Sequence, residues 1–190
     1  MRPILFAAVA AGILLFTDRP ASAQTNPAIE EFTRRVDAYY AIHKQAERNL
    51  PRQRSFMDAS EAQAALDRMA EAMRFLRHDA REGDVFSETV APALREVVMA
   101  TLRDKGYDPL ILLDEMEANI SSENPRLEVN ERFPWGAGNM MLPSLIEALP
   151  QVPVELQYRL VGTDLVLIDL HANLVVDVLR DALPVTTFVR

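Results

Sequence analysis

Without cysteine, any chemistry in this chain must come from its acids, histidines, amines and hydroxyls. These are most regularly spaced in YRLVGTDLVLIDLHANLVVD, residues 158–177. Asp169 and His171 stand two apart there, and near Tyr158 they could form an acid/base or metal pair, the equipment of a hydrolase or metal-dependent enzyme. The competing reading is structural. An Asp that opens the turn DLHAN can accept the backbone N–H groups of Leu170 to Ala172, and Asn173 then takes the left-handed, turn-closing position that Asn tolerates. Turn closure explains the spacing with fewer assumptions.

Which reading holds depends on the elements that carry these residues. Val154, Leu156, Tyr158 and Leu160 alternate with Glu155, Gln157 and Arg159, the period of a half-buried strand that begins at Val154. GTD is a turn, LVLI is apolar on both faces as a strand covered on two sides is, and LVVDVL is a third strand. With Gly162-Thr163 as the turn, Leu160 faces Leu165, Tyr158 faces Leu167 and Leu156 faces Asp169. With Thr163-Asp164, Leu160 faces Leu167 and Tyr158 faces Asp169. In both registers Asp169 shares the apolar face of Tyr158, where an unpaired carboxylate costs several kcal/mol. Asp177 lies opposite Val166 if the second turn has four residues and opposite Leu167 if it has three.

Ahead of these strands the spacing predicts helices. From Pro27 to Asn49, apolar residues recur at Ile29, Phe32, Val36, Tyr39/Tyr40, His43 and Ala46, with Asn26 as N-cap and Pro27 at the first position. His43 falls on the inner face, as a hydrogen-bonded core histidine does. A second helix is expected over about 60–80 and a third after Phe86-Ser87, ending before Gly106. A fourth is capped by Asp108, and a short turn of helix follows Pro143. The expected fold class is α+β: about four N-terminal helices followed by a C-terminal three-stranded antiparallel β-meander, one domain over residues 24–190.

Beyond the meander, the loop NERFPWGAGN (residues 130–139) is the best candidate binding surface, because Arg132, Phe133 and the single Trp135 are interface-type residues. The alternative is that Phe133 and Trp135 plug the loop onto the sheet. The candidate binding residues are therefore Arg132, Phe133, Trp135, Tyr158, Asp169, His171 and Asn173. No catalytic residue, metal ligand or cofactor is assigned. HExxH, HxxEH, GxSxG, SxxK and EF-hand patterns are absent, and His43, His78 and His171 are far apart, so a metal site would have to be assembled from dispersed ligands.

The first residues point to export. MRP is a cationic start, ILFAAVAAGILLF is an apolar run too short for a bilayer, and ASA precedes Gln24, the pattern of a signal peptide cleaved after Ala23. Its removal takes away Arg2, Asp18 and Arg19 and leaves 18 basic and 27 acidic residues, a net charge of −9. So acidic a chain has no electrostatic reason to seek nucleic acid, and no stable membrane anchor is expected after cleavage. YRLVGTDLVLIDLHANLVVDVL, with REGDVF and VNERFP, resembles a group of small exported bacterial proteins of unknown function. The resemblance implies secretion and a compact domain and carries no catalytic residue across. The expectation is a periplasmic or secreted, non-enzymatic domain that binds a protein partner or small ligand, with the Asp169/His171/Tyr158 enzyme as the alternative.

Overall fold

The computed structural model describes residues 26–51, 58–117, 127–135 and 139–183. The expected signal segment, and Gly136 and Gly138 of the 130–139 loop, lie outside them. The described chain runs α1 (Pro27–Asn49), α2 (Ala59–Leu76), α3 (Val90–Lys105), α4 (Pro109–Glu117), β1 (Asn139–Met140), α5 (Pro143–Ala148), β2 (Leu156–Val161), β3 (Asp164–Asp169) and β4 (Leu174–Leu179). The fold is α+β, helices first and an antiparallel sheet last. Among the described residues no helix is long and apolar enough to cross a membrane.

Local signals account for the helix ends. Asn26 Oδ1 accepts the Ala28 N–H at 3.0 Å ahead of Pro27, and Asp58 Oδ1 caps α2 through Ser60 and Glu61. Gly106, at φ +72°, closes α3 in the left-handed conformation. Two ends depart from expectation: α3 begins at Val90 with Thr89, not Ser87, at its N-cap, and α2 ends at Leu76 instead of near residue 80. Its C-cap Arg77 is buried: the guanidinium lies 4.7 Å from the Tyr39 ring and donates to Asn130 Oδ1 and to the Val176 carbonyl.

The sheet is ordered β1-β2-β3-β4. The meander is as expected, and a two-residue strand, too short to show any periodicity, adds a fourth strand at the edge beside β2. The β2–β3 turn is Gly162-Thr163, with Gly162 at φ +56°, so Leu160 pairs with Leu165, Tyr158 with Leu167 and Leu156 with Asp169. One face of the sheet, including Leu156, Tyr158, Leu160, Leu165, Leu167 and Leu179, packs on the helices in the main core. On the other, Val161, Val166, Ile168, Val175 and Val178 are covered by Leu127 and Phe133. The strands are thus buried on both sides, as LVLI suggests. Val154 is a correction: it is not the first inward residue of the strand but 89% exposed. β3 ends at Asp169, opposite Leu156, so the chain before Leu156 has no partner strand; it turns there, with Leu156 N–H on the Pro153 carbonyl.

Turn length and register are decoupled between β3 and β4. The turn has four residues, since Asp169 pairs with Leu174, yet Asp177 lies opposite Leu167. A bulge reconciles the two. Val175 pairs with Ile168 and Asp177 with Leu167, leaving Val176 as the extra residue. The bulge aims the Asp177 carboxylate at the loop between α2 and α3. There it accepts the N–H groups of Gly83 (2.9 Å), Val85 (2.7 Å) and Phe86 (2.8 Å), together with that of Val178 (2.8 Å). All four acceptor directions of a fully buried carboxylate are used. Asp177→Asn turns an amide NH2 toward two N–H donors. It should cost about 3 kcal/mol, which lowers the melting temperature by roughly 6–12 °C. Thermal unfolding checks this, and a fall below about 2 °C contradicts it.

Candidate functional site

The strongest concentration of buried polar groups lies where the inner face of α1 meets the β3–β4 turn. Tyr39 and His43 are one helical turn apart, and both reach Asp169, which is fully buried. Asp169 Oδ2 accepts the Tyr39 hydroxyl and faces His43 Nδ1, each at 2.6 Å. Its Oδ1 accepts the backbone N–H groups of His171 and Ala172 at 2.9 Å. The turn-closing role expected of Asp169 is therefore present, with two differences. Leu170 N–H goes to the Glu155 carbonyl instead, and the second carboxylate oxygen is given over to the helix. Asn173 takes the left-handed position, at φ +50°.

His43 continues the chain of contacts outward. Its Nε2 lies 3.3 Å from Glu47 Oε1, one further helical turn along, and His171 Nδ1 lies 3.2 Å from the same oxygen. The two imidazoles are 5.6 Å apart between centroids. The other Glu47 oxygen takes Lys44 Nζ at 2.7 Å, and Lys44 also reaches Glu155 Oε1 at 2.9 Å, where the Tyr40 hydroxyl joins it at 3.0 Å. The cluster grades from a sealed base to an open rim: the His43 side chain is 0% exposed, that of Glu47 33% and that of His171 55%.

Electrostatics follow from this geometry. Burial alone would push the His43 imidazole down, but Asp169 and Glu47 outweigh it and hold the ring above its ordinary value. Burial, reinforced by the Asp169 carboxylate, lifts the Tyr39 hydroxyl well above the usual range and keeps it a donor. Burial would also raise Glu47, but Lys44, His171 and His43 bring it below the usual carboxylate value. His43 is thus oriented by a carboxylate as a general base is. Its free nitrogen, however, faces another carboxylate and no hydroxyl nucleophile.

The residues singled out from sequence divide between two places. Asp169 and His171 belong to this cluster, joined through the His171 backbone N–H and not side chain to side chain. Tyr158 shares their face but not their chemistry. Its hydroxyl donates to the Pro150 carbonyl at 2.9 Å, its ring stacks on Phe32, and burial pushes its pKa up. Arg132, Phe133, Trp135 and Asn173 gather elsewhere. Residues 130–133 lie along β4, through Asn130 N–H to the Val175 carbonyl and an Arg132–Leu174 bridge, and so cover an otherwise open sheet edge. Phe133 is buried as a plug, and Trp135 packs on it edge-on while donating to Asn173 Oδ1. Arg132 pairs with Asp67 of α2.

Tyr39, Tyr40, Lys44, Glu47 and Glu155 were not singled out from sequence. The signal for three of the site groups was present in the i, i+4 spacing of Tyr39, His43 and Glu47. Glu155 gave none, since a strand beginning at Val154 turns it to solvent.

No protein-family model, curated protein or solved structure matches the chain.

Glu155 supplies a pH test of the network. Burial would raise its carboxyl, but Lys44, its own backbone N–H and Tyr40 bring it from 4.5 down to about 2. A depressed carboxyl stabilises the fold above its unfolded pKa and loses that contribution as pH falls through its folded one. The stability gap between wild type and Glu155→Gln should therefore be full at neutral pH and close between pH 4.5 and about 2. Denaturant melts across that range check this; a gap that stays constant contradicts it.

Proposed function

We propose that the protein is an exported, non-enzymatic binding domain whose ligand site is the α1/β3–β4 junction. The observation that carries this reading is the graded cluster itself. Asp169 fixes one nitrogen of buried His43, and the other nitrogen points at the half-open Glu47 and His171. A rigid, oriented base beneath an accessible rim is what a site needs and what a purely structural clasp does not. An acid/base enzyme built on Asp169, His171 and Tyr158 has less support, because the Tyr158 hydroxyl and all four Asp169 acceptor directions already have partners.

Export rests on the cationic start, the short apolar run and the ASA before Gln24. It places the domain in the periplasm or outside the cell, in keeping with the likeness to small exported bacterial proteins. Intact-mass analysis of the periplasmic fraction should find a chain beginning at Gln24; a chain retaining residues 1–23 in the cytoplasm contradicts this.

The site itself is tested by comparing rim with base in chelator-treated protein. Glu47→Gln with His171→Ala should cost less than about 1.5 kcal/mol, because both side chains are partly exposed. Asp169→Asn breaks a buried ionic contact and should cost about 3 kcal/mol or more. Thermal melts would show a fall of at most roughly 3–6 °C for the rim against at least roughly 6–12 °C for the base. If the rim variant loses as much as the base variant, the cluster is a structural clasp and the binding reading fails.

A further inference from the structure

We propose that His43 Nε2, Glu47 Oε1 and His171 Nδ1 bind one divalent late-transition-metal ion. This rests on the reading of the same cluster as a ligand site and names the ligand's chemical class.

These three atoms lie within 4.8 Å of one another, and Glu47 Oε1 stands 3.3 Å and 3.2 Å from the two ring nitrogens. Nitrogen and oxygen ligands held about 2.1 Å from a tetrahedral ion are about 3.4 Å apart, so the two carboxylate–ring separations already match the edges of such a site. The remaining separation, between the two ring nitrogens, is no more than 4.8 Å, and the His171 side chain on that side is more than half exposed.

The supports behind the ligands point the same way. His43 and Glu47 sit one turn apart on a 23-residue helix, and His171 rides on a turn whose backbone Asp169 holds. A histidine that ligates a metal typically gives its other ring N–H to a carboxylate, which fixes the tautomer and aims the ligating nitrogen. Asp169 at 2.6 Å from Nδ1 is placed to do this for His43. Lys44 holds Glu47 by Oε2, which orients the carboxylate and leaves Oε1 toward the rings. Buried His43 closes the floor, and exposed His171 leaves a route for the ion from solvent.

The donor set selects the ion. Two imidazoles and one carboxylate suit zinc, copper, nickel, cobalt or iron(II), whereas magnesium and calcium require mainly oxygen donors. Three protein ligands also leave a coordination position for water or a small molecule.

The test titrates zinc into purified, tag-free, chelator-stripped protein in competition with a chromophoric chelator. One zinc per chain is expected, uncontested by magnesium. Affinity should fall about 10–100-fold in Asp169→Asn through loss of the orienting contact, and at least about tenfold in Glu47→Gln and in His171→Ala, which remove ligands outright. Because the His171 side chain is exposed, His171→Ala keeps the fold and carries the test even if another variant does not. Absence of stoichiometric zinc, or an affinity unchanged in His171→Ala and Glu47→Gln, overturns the proposal. The rim-against-base melts are made without metal, so failure to bind zinc and failure of the site reading are separate results.

Discussion

The carboxylate of Asp169 is the interaction on which the rest of the structure depends. It is fully buried, and its four acceptor directions are filled by two donors from its own turn and two side chains of α1. Left unpaired, such a group costs several kcal/mol. The helix and the hairpin therefore form one unit, because neither alone satisfies the acid. The same contact orients His43 and so defines the open cluster beyond it. Stability and site geometry are set by one group, and the rim can vary while the base cannot.

Asp177 repeats this solution at the other end of the hairpin. It also faces the helical side, is fully buried and receives four donors, all backbone N–H groups, three of them from the Gly83–Phe86 segment. The bulge at Val176 is the device that turns it inward. Asp169 fastens the sheet to α1, and Asp177 fastens it to the connection between α2 and α3. Apolar packing of the main core supplies the bulk of the driving force but is non-directional. The two acids fix the register and orientation at which that core closes.

Much of the fold was legible in the sequence because its signals are local. The Asn26-Pro27 start, the Gly106 stop and the alternation of Leu156, Tyr158 and Leu160 each declare an element within a few residues. Parity alone placed Asp169 on the face of Tyr158 in either register. What could not be read are the partners supplied by distant segments. His43 meets Asp169 across 126 residues of chain and Glu47 meets His171 across 124, and no spacing rule reaches so far. Tyr158 looked like a site member because parity fixes a face and not a neighbour; its hydroxyl lies with Pro150. The bulge is hidden because turn length by itself implies one register, and an extra residue uncouples the two. Glu155 falls on the solvent-facing parity of a strand that begins at Val154, because the sequence does not show that β3 ends opposite Leu156.

The central claim is that Asp169 holds His43 by Nδ1 and leaves Nε2 to the cluster. Long-range 1H–15N correlation of the imidazole rings in metal-free protein, with the His43 signals assigned by His43→Gln, tests it most directly. The account predicts that His43 Nδ1 keeps its proton throughout the neutral range. A His43 ring whose proton resides on Nε2, with Nδ1 bare beside the buried carboxylate, would contradict it.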